Sequence, residues 1–139
     1  MTYTNAITVS LPYAEAVART RQALADQGFG ILTEIDVKAT FTTKLGPEAG
    51  EAIGDYVILG ACNPNLASKA LAAEPELGAL LPCNVVVRST DKGNTTVETI
   101  DPQTMVQLSD SPQVREVAND ADERLRAALS SISEENPSK

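Results

Sequence analysis

Histidine is absent from this 139-residue sequence, and cations are scarce. Without histidine the chain lacks the commonest general base, the Ser–His and Cys–His nucleophile systems, and the usual imidazole ligand for zinc or copper. Lys and Arg number 11 against 19 Asp and Glu, which gives a net charge of −8, and no segment concentrates the cations. Because nucleic-acid binding depends on cations that neutralise phosphates, we expect neither a nucleic acid nor a membrane surface as a partner.

Long apolar runs and a nucleotide-binding loop are also missing. No apolar run approaches the roughly 20 residues that a membrane span needs, and residues 1–7 have neither the basic nor the apolar region of a signal peptide. We therefore expect a cytoplasmic protein in which the two cysteines, Cys62 and Cys83, are free thiols rather than a structural disulfide. No glycine-rich phosphate-binding motif occurs in the sequence.

The patterns that are present predict one α+β domain. Strand-like alternation and helix-like spacing follow one another in the order β-α-β-β-α-β-β-α. Strands with one polar face belong in antiparallel sheets that carry helices on the apolar side. We predict a single domain over residues 1–132, with a mostly antiparallel sheet and helices packed on one face. A disordered polar tail is predicted over residues 133–139.

The first half of the chain gives a strand over residues 3–10 and then a helix. Ser10 is the predicted N-cap of that helix, with Pro12 in its first turn and Gly28 at its end. Residues 38–54 are rich in glycine and have little periodicity, so we predict a short helical or irregular piece near residues 39–45 and then a loop.

The strand predicted over residues 29–37 carries two carboxylates. Regular alternation would place Ile31 and Ile35 on one face of this strand and Glu34 and Asp36 on the other. Two carboxylates on one face could act as an acid–base pair. The alternative interpretation is that Glu34 and Asp36 form the solvated side of a half-exposed strand.

The last part of the chain ends in the longest predicted helix. Residues 91–94 have the composition of a hairpin turn, and residues 95–101 that of its return strand. Ser111 and Pro112 then form an N-cap and a first-turn proline. The apolar positions that follow are three or four residues apart: Val114, Val117, Ala121, Leu125, Ala128 and Ile132.

One polar cluster stands out between two predicted central strands, residues 56–62 and 83–89. Cys62 ends the first strand, and Asn63 and Pro64 have the residue types that begin a helix. The intervening segment is long enough for one short helix and a return loop. We therefore predict that Cys62 and Cys83 lie at the same end of the sheet, flanked by Asn63 and Asn84.

Three interpretations of this cluster remain open at the level of sequence. Cys62 and Cys83 could be small buried hydrophobic residues without a function. They could border a small-ligand or anion pocket at the helix N-terminus, with Asn63, Asn84 and backbone N–H groups as donors. They could also form a thiol redox site or a soft-metal site, for example for Cu(I).

Several segments together resemble the domain of unknown function 302 family, DUF302. They are Gln27-Gly28-Phe29-Gly30, Glu34-Ile35-Asp36, Ile58-Leu59-Gly60-Ala61-Cys62-Asn63-Pro64, Leu80-Leu81-Pro82-Cys83-Asn84-Val85 and Ile100-Asp101-Pro102. The resemblance covers roughly residues 5–130. It implies a TATA-binding-protein-like arrangement of a curved antiparallel sheet with helices on one side, and association as a homodimer. It implies no settled activity and says nothing about DNA binding, against which the net charge argues.

These observations favour a non-catalytic, homodimeric binding protein with a small-ligand or soft-metal pocket near Cys62 and Cys83. One alternative is an enzyme of thiol redox or sulfur chemistry, with Cys62 as nucleophile and Cys83 as resolving partner. Another is a purely structural interaction module. The residue pattern names neither a cofactor nor a metal, because two cysteines at this spacing match no strong metal signature.

Overall fold

The structure is a computed structural model that describes residues 3–90 and 93–134. Its strands are β1 (Thr4–Val9), β2 (Gly30–Asp36), β3 (Tyr56–Cys62), β4 (Cys83–Ser89) and β5 (Thr95–Ile100). Its helices are α1 (Tyr13–Asp26), α2 (Val37–Leu45), α3 (Pro47–Ile53), α4 (Pro64–Ala73), α5 (Gln103–Leu108) and α6 (Pro112–Glu134), and a 3-10 helix spans Pro75–Leu80. Within the described residues the strands form one antiparallel sheet in the order β1-β5-β4-β3-β2. The predicted α+β class is confirmed.

The main core lies between one face of the sheet and helices α1 and α6. The strand residues on this face are almost completely buried: Val57, Leu59, Val85, Val87 and Val97. The predicted apolar positions of α6 are buried as well, from Val114 to Ile132. Helix α6 contacts β1, α1, α4 and α5, so it connects the sheet to the helical layer.

A second apolar cluster packs α4, α5 and α6 against the 3-10 helix. Its buried members are Leu66, Ala70, Leu77, Met105, Val114, Val117, Ala118 and Ala121. Several of them line a cavity together with residues at the junction of β3 and β4. The second cluster therefore lies beside the end of the sheet where the sequence places its candidate site.

The opposite face of the sheet is more exposed. Side chains that alternate onto it, such as Ile58, Val86 and Ile100, are only half-buried in the structure. Arg88 and Glu98 also lie on this face and form an ion pair of 3.0 Å between Nε and Oε1. We refer to this surface below as the open face.

The regular alternation predicted for β2 is wrong in its second half, because the strand contains a β-bulge. Ile31 pairs with Ala61 of β3, but Thr33 pairs with the next residue of that strand, Gly60. Leu32 is therefore an extra residue in β2, and it is 66% exposed. One inserted residue moves every following side chain to the other face of a sheet.

The bulge reverses the predicted faces of the remaining β2 residues. Ile35 now pairs with Ile58 on the open face and is 47% exposed. Glu34 and Asp36 share a face, as predicted, but it is the helix-bearing face at the edge of the sheet. The sequence offered no signal for this insertion, since alternation continues unbroken through the bulge.

The loop predicted after Leu45 is also wrong, because Pro47–Ile53 forms α3. Gly46 and Gly54, which bound this helix, have φ values of 106° and 75°, a region that favours glycine. The glycines thus mark the ends of a helix rather than an irregular segment. Pro47 occupies the first helical position, where its missing N–H has no cost.

Two further predictions concern helix ends. Ser10 does not cap α1, because Pro12 holds the N-cap position and no side chain bonds there. Gly28 follows the end of α1 with a φ of 87°, as predicted for a terminating glycine. Of the tail predicted over residues 133–139, residues 133 and 134 belong to α6, and residues 135–139 lie outside the described residues, as do the turn residues 91–92. In the part of the chain that the structure describes, no helix has the length and apolarity required to cross a bilayer.

Candidate functional site

The end of β3 and the start of β4 form one rim of the sheet. The two strands are antiparallel neighbours, and the register pairs Ala61 with Cys83 and Gly60 with Asn84. Cys62 is the last residue of β3, and Cys83 is the first of β4. The chain therefore brings both cysteines to the same end of the sheet.

Asn63 turns the chain from β3 into α4. Its Oδ1 accepts a hydrogen bond from the N–H of Leu66 at 3.2 Å, which is the geometry of a helix N-cap, and Pro64 occupies the first helical position. Asn63 is only 8% exposed. A Cβ on Gly28 would lie 3.0 Å from Asn63 Nδ2, and Gly28 also has positive φ, so this contact depends on glycine.

A small cavity of about 40 Å³ adjoins this rim. Cys62, Asn63 and Cys83 all contribute to its wall. The other lining residues are apolar and come from α4, α5, α6, the 3-10 helix and the loop before β4: Phe29, Ala61, Leu66, Ala67, Ala70, Leu77, Leu81, Pro82, Met105, Val114, Val117 and Ala121. The thiols and Asn63 are therefore the polar functional groups of a largely apolar enclosure.

The two thiols are free and differ in their surroundings. Cys83 is buried, and burial, with a smaller contribution from the charge of Cys62, raises the pKa of the Cys83 thiol to about 11. Cys83 is therefore a neutral thiol at physiological pH. Cys62 is half-buried at the strand end.

Pro82 packs over the strand next to the cysteines. The Leu81–Pro82 peptide bond is cis. A Cβ on Gly60 would collide with Thr33 Oγ1 and lie 2.9 Å from Pro82 Cγ. The sequence suggested either a bulge or a close approach at Gly60, and the structure has both, with the bulge in the neighbouring strand β2.

Asn84 does not join the other three candidate residues. It pairs with Gly60, so its side chain alternates onto the open face, and it is exposed there. Asn84 instead borders a shallow depression with Tyr3, Tyr56 and Val86. Grouping Asn84 with Cys83 was wrong because Asn84 alternates onto the open face and does not line the cavity, whereas Cys62, which alternates onto the same face at the last position of β3, still borders the cavity.

The anion pocket predicted at the start of α4 has few of its expected donors. Pro64 has no N–H, and the N–H of Leu66 is bonded to Asn63. Arg124 lines the groove outside this helix end, but its guanidinium is bonded to Asp120 Oδ1 at 2.7 Å and to the carbonyl of Gln27 at 2.9 Å. This arrangement stabilises the contact between α6 and the end of α1 and leaves little capacity for an anion.

The secondary candidates Glu34 and Asp36 have structural partners. Glu34 forms an ion pair with Arg21 of α1. Asp36 caps α2, since its Oδ1 accepts the N–H of Ala39 at 2.9 Å. Both side chains are exposed at the edge of the sheet, far along the strand from the cysteine rim. These contacts favour the interpretation of a solvated strand face.

Met105 is the site residue that the sequence did not suggest. It lies in α5, is 7% exposed and lines the cavity with both cysteines. Among the described residues sulfur occurs only at Cys62, Cys83 and Met105, and all three line this cavity. The rarity of methionine in the sequence was the available signal, but nothing in the sequence places α5 beside the rim. No group of three or more Cys, Asp or Glu in the described residues could hold a metal ion by itself.

Comparison with known proteins identifies relatives of this fold and no curated function. The chain is similar to a solved structure described as the crystal structure of uncharacterized conserved protein DUF302 from Bacillus stearothermophilus, with 27% sequence identity and a TM-score of 0.78. The match covers 94% of this chain and 98% of that chain. None of the curated proteins matches the chain. The model of the family called domain of unknown function DUF302 matches residues 5–132, and the chain belongs to that family.

Proposed function

We propose that this protein is a non-catalytic, homodimeric binding protein whose ligand occupies the cavity at the cysteine rim. The observation that carries the proposal is the convergence of Cys62, Asn63 and Cys83 on one partly enclosed cavity. Polar groups in an apolar wall normally have a hydrogen-bond partner or a functional role. An apolar cavity on which a few polar groups converge is the usual form of a binding site, so this cavity is the best candidate in the described part of the chain.

The size of the cavity favours a soft metal ion over an organic ligand. Pockets for small molecules usually measure about 300–1,000 Å³, whereas this cavity measures about 40 Å³. A single ion or one to two waters would fill it. Thiolates select soft metal ions, and the cavity offers two thiols.

The state of Cys83 disfavours the alternative of a thiol enzyme. A resolving cysteine attacks as a thiolate, and a pKa of about 11 leaves Cys83 almost fully protonated at neutral pH. A bound metal ion changes the protonation of Cys83, since the ion displaces the thiol proton and stabilises the thiolate directly. The same buried thiol that is a poor nucleophile is thus a suitable metal ligand.

The open face supports the proposed homodimer. Five strands at about 4.8 Å spacing and about 20 Å length give roughly 500 Å², so two copies would bury about 1,000 Å² in total, the lower limit of a specific interface. Leu32 and Ile35 are exposed apolar residues at the β2 edge of the sheet. Arg88 and Glu98 would let each copy present both charges to the other across a two-fold interface.

Native mass spectrometry of the reduced protein tests the binding function. We expect one soft ion, Ag(I) or Cu(I), per chain and no retained Mg(II). Cys62→Ala combined with Cys83→Ala should abolish binding, and alanine is preferred because serine would bury an unpaired hydroxyl at position 83. The matched control is Ser68→Ala on the exposed side of α4, which should bind as the wild type does.

Two outcomes would overturn the binding function. The wild type could retain no soft ion, or the double alanine variant could retain the ion as well as the wild type. Reversible disulfide formation between Cys62 and Cys83 with turnover of a thiol substrate would instead establish the thiol enzyme.

A further inference from the structure

We propose that the cavity is a monovalent copper site in which the thioether of Met105 is the third ligand beside Cys62 and Cys83. This inference rests on the proposed function and deepens it, because it names the ion and adds a residue. The observation that carries it is the placement of every sulfur-bearing side chain in the described residues on the wall of one small cavity.

The types of ligand atom at the cavity indicate which metal ion it would bind. Two thiolates and a thioether are soft ligands, which select Cu(I). Structural zinc requires four ligands, usually with imidazole or further thiolates, and this sequence has no histidine. Magnesium and calcium require oxygen ligands, whereas the remaining lining residues apart from Asn63 are apolar.

The fold places Met105 at the cavity through a short, well-anchored helix. The N–H of Met105 donates to the carbonyl of Pro102 at 3.0 Å, in the first turn of α5. Gln103 Nε2 donates to Asn119 Oδ1 at 2.9 Å and to Asp122 Oδ2 at 3.3 Å, which fixes α5 to α6. The backbone at residue 105 is therefore held, while the unbranched side chain retains the freedom to turn its sulfur towards an ion.

The binding step balances without electron transfer. Cu(I) displaces one proton from each thiol, those two protons pass to solvent, and the three-coordinate complex carries one net negative charge. The N-terminus of α4, which Asn63 caps, is adjacent to the cavity and carries partial positive charge. That charge stabilises the anionic complex in an apolar surrounding.

X-ray absorption at the copper edge tests the third ligand in the full-length protein. The protein is loaded with Cu(I) under anaerobic, reducing conditions, and its affinity is measured against a Cu(I) chelator. We expect three sulfur neighbours in the wild type and two in Met105→Leu, which keeps the side-chain volume. Mutation of a residue that only orients a metal ligand usually lowers metal affinity about 10–100-fold. Because Met105 would be a ligand itself, Met105→Leu should lower the affinity for Cu(I) by at least about tenfold.

Two further variants separate ligation from packing. Met105→Cys returns a sulfur donor and should restore three sulfur neighbours. Leu77→Ile alters the same cavity wall without removing sulfur and should bind Cu(I) as tightly as the wild type. An unchanged affinity and sulfur count in Met105→Leu would overturn the role of Met105 and leave the two-cysteine binding function standing. Absence of soft-ion binding in the wild type would overturn both.

Selenomethionine labelling also tests whether Met105 is a copper ligand, and it does so without changing the fold. In the labelled, Cu(I)-loaded protein we expect one selenium neighbour at the copper edge in addition to two sulfurs. A copper site with sulfur neighbours and no selenium would exclude Met105 as a ligand.

Discussion

Cys83 pairs directly with Ala61 across strands β3 and β4, and Ala61 is the residue immediately before Cys62. This register brings together two cysteines that are separated by a helix, a 3-10 helix and a loop. Antiparallel pairing alone therefore creates the rim on which the proposed site depends.

The two cysteines should differ strongly in reactivity. At pH 8 and in the native state, an alkylating reagent should modify Cys62 and spare Cys83, because Cys83 is 8% exposed and burial raises its pKa to about 11. Peptide mapping by mass spectrometry assigns the modified residue, and denaturant should make both residues reactive. Faster modification of Cys83 than of Cys62 in the native protein would contradict the described burial.

Stability should decline at alkaline pH. Burial raises the pKa of Cys83 from 9.0 to about 11, and burial together with the charges of Asp36 and Asp55 raises that of Tyr13 from 10.0 to about 12. Each group has a higher pKa in the folded protein than in the unfolded chain. As the pH rises, the unfolded chain therefore loses the proton at a lower pH than the folded protein does. Their contribution is fully present below about pH 9 and is lost as the pH rises towards 11 and 12.

Urea unfolding between pH 8 and 11 measures this slope. In the wild type, Cys83 should contribute on the order of 2 kcal/mol of lost stability by pH 11. Cys83→Ala should flatten the lower part of the slope and Tyr13→Phe the upper part. A Cys83→Ala variant with the same pH slope as the wild type would show that Cys83 titrates normally in the folded protein.

Gly60→Ala should destabilise the protein by about 1–3 kcal/mol, the usual cost of overpacking. The new methyl group would collide with Thr33 Oγ1 and contact the ring of Pro82. Gly78→Ala is the matched control, since a Cβ there would be 3.8 Å from Leu71 Cδ2, an ordinary contact. Urea unfolding measures both variants, and Thr33→Ala should recover part of the loss in the Gly60→Ala background.

Asn63→Ala should cost about 1 kcal/mol, because it removes the side-chain cap of α4. Asn63→Asp preserves a capping oxygen and should lose less. The neighbouring Asn65 is exposed, so Asn65→Ala should leave the free energy of unfolding nearly unchanged. Equal losses at positions 63 and 65 would argue against the capping role.

Val86→Lys should convert the proposed dimer to a monomer, since it replaces a half-buried apolar side chain in the middle of the open face, opposite Glu98, with a long charged one. Light scattering after size exclusion gives the molecular mass directly. Ala127→Lys, on an exposed position of α6, should leave the mass unchanged. A wild-type protein that is monomeric at high micromolar concentration would rule out this interface.

The sequence predicted the parts of the fold that depend on local patterns. The helical spacing of α6, the cap at Asn63 and the terminating Gly28 each have a residue-level cause, and each is found in the structure. The rim of Cys62 and Cys83 was predictable because the segment between them is long enough for a short helix and a loop that returns the chain to the same end of the sheet.

Other features depend on packing that no local pattern carries. The bulge at Leu32 reverses the faces of Glu34 and Ile35, yet the sequence alternates as if the strand were regular. Met105 reaches the cavity because α5 packs on α6, a contact between segments with no shared periodicity. Met105 could therefore be proposed as a third sulfur ligand only once the fold was known.

The most direct measurement is an anomalous difference map at the copper edge from crystals grown anaerobically with Cu(I). We expect one peak per chain inside the cavity, within bonding distance of the sulfur atoms of Cys62 and Cys83. Crystals of the copper-loaded protein with an empty cavity, or with copper bound only at the surface, would contradict the proposed copper site.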